Sequence, residues 1–290
     1  MKLLLGFMWL MHWLPLPVLG RFANGIGSLL FWWMKPRRDI ALTNLRLCMP
    51  ELSEAERRTL ARQHFQAYSR SVLERAILWW APESRLRRLM VIEPSFPRAT
   101  LADTPTILLC PHFVCLDVAG AATAMEINAS SMYVQQKNAT FDKLLRDGRS
   151  RFKAQKLFTR QDGIKPIIRA LKAKLPYFML PDMDFGEKDA EFVPFFGIPA
   201  ATLTATARIA AATGAQIIPV IATFLPNYQG WRITYYPAWE DYPGEDITAA
   251  TARMNDFIEA RAREHPAEYF WTHKRFKTRP AGAPSFYAKH

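Results

Sequence analysis

Three cysteines in 290 residues, Cys48, Cys110 and Cys115, are too few for an even disulfide framework. No CxxC pair suggests a structural zinc site, so no metal is expected, and a reducing compartment follows. The chain has no P-loop, no GxGxxG and no EF-hand loop, and no cofactor is expected from its motifs. It also lacks internal repeats, low-complexity segments, an RNA-binding signature, a helix-turn-helix pattern and a detachable basic tail. Nucleic acid is therefore not an expected partner. Acidic residues are the other shortage: 26 Asp+Glu stand against 38 Lys+Arg, a net charge of +12. That excess suits an anionic partner. Half the residues are apolar and 22% charged, enough for a sizeable core and incompatible with wholesale disorder.

Polar residues are scarcest at the N-terminus. From Leu3 to Leu19 the one strongly polar residue is His12, and a second apolar run from Phe22 to Met34 is interrupted mildly by Asn24. Lys35, Pro36, Arg37 and Arg38 follow. Trp9, Trp13, Trp32, Trp33, Trp79 and Trp80 all fall in the first 80 residues. Tryptophan favours the membrane–water boundary, and Lys/Arg beside an apolar segment favour the cytoplasmic leaflet. Pro15, Pro17 and Gly20 interrupt the run of about 20 residues that a clean span needs. A single Lys before the apolar run, the two prolines and the lack of a small-x-small cleavage site argue against a secretory signal. Residues 1–34 are expected to be an anchor that enters or lies in the membrane, with a buried helical hairpin as the alternative.

Residues 35–97 read as a basic helical region. Ser53-Glu54-Ala55-Glu56 forms a capping box opening a long helix with an apolar stripe at Ala61, Phe65, Tyr68, Val72, Ala76 and Trp79. Twelve basic and six acidic residues lie between Lys35 and Arg88. They fit either a solvated helix face or attraction to an anionic membrane surface. Past Pro94 and Pro97 the texture changes to an α/β core over 98–290. Strands are predicted at Thr106–Cys110, Met132–Val134, Tyr177–Leu180, Ile217–Phe224 and Trp231–Tyr236. Helices are predicted at Leu116–Met125, Asp142–Phe152, Pro166–Lys174, Leu203–Thr213 and Thr248–Glu264. The alternation predicts an α/β fold, a mostly parallel sheet flanked by helices.

Chemistry concentrates at Pro111-His112-Phe113-Val114-Cys115-Leu116-Asp117, which follows a buried strand and opens a helix. The carboxyl end of a parallel strand is where ligands bind. Asp117, five residues on, is expected to accept the Nδ1 proton of His112 and leave Nε2 as a general base able to deprotonate a hydroxyl. A satisfied structural histidine is the plain alternative. Cys110 and Cys115 flank this segment; burial in the core fits them better than an acyl-cysteine route or a metal site.

With its neighbours, His112-x4-Asp117 resembles the signature of the glycerolipid-type acyltransferases, and further blocks narrow the resemblance to the lipid A late acyltransferases. These are Arg38-Asp39-Ile40-Ala41-Leu42-Thr43-Asn44-Leu45 with Cys48-Met49-Pro50-Glu51; Asp182-Met183-Asp184-Phe185-Gly186 with Phe192 to Ala200; and His265-Pro266 with Tyr269 to Pro280. The resemblance runs over nearly the whole chain. One departure is Val134-Gln135-Gln136 where many members carry Arg-Pro, so Lys137 is expected to supply charge there. A glycerophospholipid acyltransferase, the alternative enzyme, would carry a glycine-rich block where Pro181-Asp182-Met183-Asp184 stands. A basic membrane-binding protein without activity has no need of the His112 constellation.

The resemblance implies a glycerolipid-acyltransferase-like fold, an acyl-carrier-protein thioester as donor, and a Kdo-bearing lipid A precursor (lipid IVA) as acceptor, handled at the cytoplasmic face of the bacterial inner membrane. It implies His112 as base, with Asp117 orienting it. Arg149 would bind the acceptor phosphate or stabilise negative charge, and Asn138, Lys137 and Asp182 would line the site. Phe195 and Phe196, with Phe192, could wall an acyl-chain slot or form a core corner. The basic segment His273–Arg279 could hold acidic partners or be a solvated tail.

Overall fold

The computed structural model describes residues 2–288, so Met1 of the expected anchor lies outside the described residues. The chain opens with helices α1 (Lys2–Met11), α2 (Leu16–Trp33), α3 (Lys35–Cys48), α4 (Glu54–Trp80) and α5 (Glu83–Leu89). Strands and helices then alternate as β1 (Met90–Glu93), α6 (Arg98–Asp103), β2 (Thr106–Leu109), α7 (Leu116–Glu126), β3 (Ala129–Met132), α8 (Ala139–Arg149), β4 (Gln155–Phe158), α9 (Lys165–Lys172) and β5 (Tyr177–Met179). The hairpin β6 (Ala190–Phe195) and β7 (Ile198–Leu203) precedes α10 (Ala205–Thr213), β8 (Gln216–Phe224), β9 (Trp231–Tyr235) and α11 (Ile247–Glu264).

Seven strands form one sheet in the order β1-β9-β8-β2-β5-β3-β4. All neighbours are parallel except β8 and β9, which pair antiparallel. Period-two alternation sorts the strand residues onto two cores. Ile107, Leu109, Tyr177, Ile217 and Ile221 face α10 and α11 residues such as Ile209, Met254 and Ile258. Leu108, Cys110, Phe178, Ile218 and Val220 face the α7 side with Val118, Ala119 and Ala122. Burial on both faces explains why β2 and β8 read as continuous apolar runs. Each such Ile or Leu taken fully from water contributes about 1.5–3 kcal/mol.

The capping box forms as expected. Glu56 N donates to Ser53 Oγ at 3.3 Å, and Ser53 N donates to Glu56 Oε2 at 2.7 Å. At the other end of α4, Arg151 donates to the carbonyls of Leu78 (2.9 Å) and Ala81, satisfying acceptors that a helix C-terminus leaves open. Helix α4 is buried on more than its predicted stripe: Arg70 and Glu74 are enclosed as a 2.8 Å pair, while Tyr68 is exposed. One cause is close apposition to α2, where a Cβ on Gly27 would lie 2.5 Å from the Gln66 backbone.

Helix α2 divides its apolar residues. Leu16, Leu19, Ala23 and Phe31 are buried against the body, whereas Val18, Phe22, Leu29, Trp32 and Trp33 are exposed, Trp33 by 80%. Phe7, Trp9, Leu10 and Trp13 extend that apolar exposure along α1 and the turn after it. No helix among the described residues is long and apolar enough to cross a membrane. Strand β1 lies within residues 35–97 and pairs with β9, so that stretch also contributes to the sheet.

Candidate active site

Neighbouring strands β2 and β5 end in the same way, an apolar run followed by proline and a polar residue: Cys110-Pro111-His112 and Leu180-Pro181-Asp182. Sheet pairing brings the two ends together. Asp182 accepts from the His112 backbone N at 3.1 and 3.0 Å, and its Oδ1 lies 2.7 Å from His112 Nδ1. Burial alone would raise the Asp182 carboxyl. The charge of His112 and its hydrogen bonds outweigh that and hold it below the usual carboxylate value. The Asp182 contact places the proton on Nδ1 and turns Nε2 outward. Among the described residues no group bonds Nε2.

The segment carrying His112 is sewn down from a third direction. Phe270 N donates to His112 O at 3.0 Å, and Val114 N donates to Glu268 O at 2.9 Å. The Phe270 ring stacks over the imidazole at 6.4 Å and 28°. Glu268 is itself half-buried, and desolvation pushes its carboxyl up to about 7.

Asp117 does not take the Nδ1 contact expected of it. It sits in the first turn of α7, directed towards α4 and α8, with Oδ2 2.7 Å from Arg75 Nη2 and Oδ1 3.6 Å from Arg149 Nη2. Burial raises its carboxyl, but Arg75 and then Arg149 reverse the shift and lower it. The physical reason for the exchange of partners is the anchoring of residues 112–114, which points the imidazole at the β5 end.

Nε2 borders a mostly apolar cleft of about 640 Å³, running from His112 past Met132, Phe178 and Leu180 to Ile164, Ile167 and Ile209. Arg146, Arg149 and Arg160 are its charged lining. Arg149 also borders a second, smaller cavity of about 90 Å³, shared with Asp117, Trp79, Gly120 and Gly148. Together the site offers a histidine with a fixed tautomer, guanidinium groups for an anion, and an apolar volume for a chain.

The other expected residues separate. Lys137 lies on a polar rim with Gln135, Gln136, Arg160 and Gln161. Asn138 caps α8 by accepting from Phe141 N at 3.0 Å, which commits its side-chain oxygen. Asp182 is behind His112 and does not line the cleft. Phe195 and Phe196 do not wall a slot: both are buried, packed on Tyr269, Phe276 and Trp271. Their block is a two-residue hairpin in which Phe196 (φ 52°) and Gly197 (φ 73°) both adopt positive φ, as a type I′ turn requires.

Nor is His273–Arg279 a solvated tail. Arg275 is buried, donating to Ala201 O and Thr202 Oγ1 at 2.9 and 2.7 Å, and Phe276 is wholly enclosed. His273 Nε2 accepts from Asp184 N at 3.0 Å, and burial pushes this imidazole down to about 4. Asp184 in turn accepts from Thr278 N and Oγ1 at 2.6 and 2.7 Å. Asn44 donates to Trp271 O and His273 O, both at 2.7 Å. Cys110 and Cys115 are buried, and desolvation raises both thiols, which opposes a nucleophilic thiolate. Among the described residues no group of three His, Cys, Asp or Glu is placed to hold a metal ion.

The family model for bacterial lipid A biosynthesis acyltransferases matches residues 1–278. The chain belongs to that family. It is 34% identical to the lipid A biosynthesis lauroyltransferase of Escherichia coli K12, over 98% of this chain and 93% of that protein. It is 31% identical to the palmitoleoyltransferase of the same organism, over 98% and 92% of the two chains. The E. coli myristoyltransferase is 30% identical, over 91% and 80%. This lipid A biosynthesis acyltransferase thus places His112 of its signature at the end of a cleft with room for a chain. Two of the sequence blocks around the signature, through Asp182 and Phe270, hold that histidine in place. Arg75 and the partnership of Asp182 with Nδ1 escaped the sequence reading. The repeated strand-Pro-polar ending was the available signal for Asp182; nothing local signals Arg75.

Proposed function

We propose that this acyltransferase moves a fatty acyl chain from an acyl-carrier-protein thioester to a hydroxyacyl group of a Kdo-bearing lipid A precursor. The observation that carries the proposal is His112, its Nδ1 on Asp182 and its Nε2 towards an apolar cleft. Nε2 takes the proton of the acceptor hydroxyl as its oxygen attacks the thioester carbonyl carbon. The tetrahedral oxyanion collapses, the carbon–sulfur bond breaks, and the imidazolium returns its proton to the departing thiolate. Asp182 orients the ring and stabilises its charge. Arg149 binds the acceptor phosphate, for which a planar guanidinium is suited, and Lys137 adds positive charge at the rim. Asp117 acts on Arg149 rather than on His112.

The exposed tryptophans of α1, the following turn and α2 lie in the head-group region of the cytoplasmic face of the bacterial inner membrane, with Lys35 and Arg37 beside them. Residues 1–34 are then the anchor, 35–97 the basic helical connection and 98–290 the acyltransferase core. The test is mass spectrometry of the lipid formed when purified protein is given acyl-carrier-protein donors and Kdo-bearing lipid IVA. A mass gain of one acyl chain, lost in His112→Ala, is expected. Absence of product with every donor, or full product from folded His112→Ala, overturns the proposal.

A further inference from the structure

The contact between α4 and the signature aspartate has no place in the reaction so far. Arg75 Nη2 meets Asp117 Oδ2 at 2.7 Å, whereas Arg149 Nη2 stands 3.6 Å from the other oxygen, Oδ1. One carboxylate is thus shared unequally between two guanidinium groups from different helices. Arg75 is mostly enclosed, its Nε is buried with no hydrogen-bond partner, and its guanidinium lies 6.0 Å from the ring of Trp79. Its one carboxylate contact among the described residues is Asp117. Trp79 also touches α8: a Cβ on Gly148 would lie 2.4 Å from its ring, so α8 approaches α4 directly beside Arg149.

We infer that Arg75 is a positioning residue for acceptor binding, drawing Asp117 away from Arg149 so that the Arg149 fork stays open to a phosphate; this rests on Arg149 being the anion-binding group. The charge arithmetic supports it. Arg149 paired with Asp117 alone would be a neutral, satisfied pair with little attraction for an anion. With Arg75 added, the cluster holds two positive charges and one negative, and the surplus sits on the arginine that borders both cavities. An anion docking on Arg149 then completes the balance. The tight partner fixes the carboxylate, and the looser one keeps donors free for a bidentate contact.

Arg75→Gln removes the competing charge, lets Asp117 close on Arg149, and is expected to raise KM for the phosphorylated acceptor roughly tenfold, the size of one lost charge-assisted contact. Turnover at saturation changes less. Arg75→Lys keeps the charge without the fork and is expected to fall between the two. In the Arg75→Gln, Arg149→Ala double variant, KM should match that of Arg149→Ala alone, because Arg75 acts through Arg149. Inorganic phosphate should compete with acceptor less well in Arg75→Gln than in wild type. An acceptor KM within twofold of wild type in folded Arg75→Gln overturns the inference while Arg149→Ala still raises KM. A parallel loss of KM and turnover in both Arg75 variants, with lowered melting temperatures, also overturns it and leaves Arg75 purely structural. If Arg149→Ala itself leaves acceptor KM unchanged, the reading of Arg149 fails and the inference fails with it.

Discussion

The outer face of α1 and α2 and the carboxyl edge of the sheet invert each other. On the helices, Trp9, Trp13, Trp32 and Trp33 are turned outward, where water-soluble proteins seldom group large apolar side chains. At the sheet edge, the carboxylates of Asp182 and Asp184 are buried, where charges survive only with partners. Each region departs from the ordinary sorting of residues by polarity. The departures differ in how they are compensated: His112, Thr278 and backbone N–H groups answer the carboxylates, while the tryptophans stay exposed among the described residues. The sheet edge is completed by the protein itself, whereas the helical face stays exposed, as the proposed membrane contact requires.

That contrast can be broken first at His112. His112→Ala should lower acyl transfer about 10²–10⁴-fold, the usual contribution of a general base, with the melting temperature nearly unchanged. Product mass spectrometry and thermal unfolding check both halves. Asp182→Asn should come next, lowering turnover about 10²-fold or more by disturbing the tautomer and leaving the imidazolium unpaired. Its pH–rate profile should lose the wild-type shape, and a wild-type profile would deny Asp182 the orienting role. Because the Asp182 carboxyl is held low in the folded state, its stabilising contribution is present above the unfolded value near 4 and lost as pH falls further.

On the helical face, replacing Trp9, Trp13, Trp32 and Trp33 together by Ser should reduce binding to anionic vesicles about tenfold or more, since the partly inserted rings together contribute about 1.4 kcal/mol or more. Vesicle co-sedimentation measures it, and unchanged binding would move the membrane contact elsewhere. The smallest effect is expected at Glu268. Its folded-state value, about 7, exceeds the unfolded one, so stability falls as pH rises from about 4.5 through 7. Glu268→Gln should flatten that slope by a few degrees in Tm across the interval.

How much of this was legible varies with the range of the interaction. The capping box at Ser53, the buried strands β2, β5 and β8 and the helix after His112 are set by local pattern, and they form close to their expected limits. Strand β3 is read three residues late because Ser130 and Ser131 are polar although enclosed in the sheet. Edge strands β1 and β4 are four residues each and half exposed, and the apolar residues they carry, Met90 to Ile92 and Leu157-Phe158, are too few to mark a strand on their own. The β6–β7 hairpin is masked by Pro194 and Pro199, which read as breakers but face each other across the turn. Within the site, His112 was legible because its strand is. The Asp182 partnership depends on which strand lies beside β2, and Arg75 depends on the crossing of α4 over α7. Neither is a property of any short window. The internal use of three of the twelve basic residues between Lys35 and Arg88 was equally hidden, since Arg70, Arg75 and Arg85 are spent on Glu74, Asp117 and the Leu14 carbonyl.

The contacts of Phe270 and Glu268 with residues 112–114 carry a consequence for biogenesis. Those partners are synthesised roughly 150 residues after His112. While they remain in the ribosome, the imidazole lacks its stacking ring and its loop lacks two backbone bonds, and Asn44 waits for the same late segment. The apolar helices α1 and α2, by contrast, emerge much earlier. A growing chain therefore exposes their outer face well before the contacts that fix His112 can form.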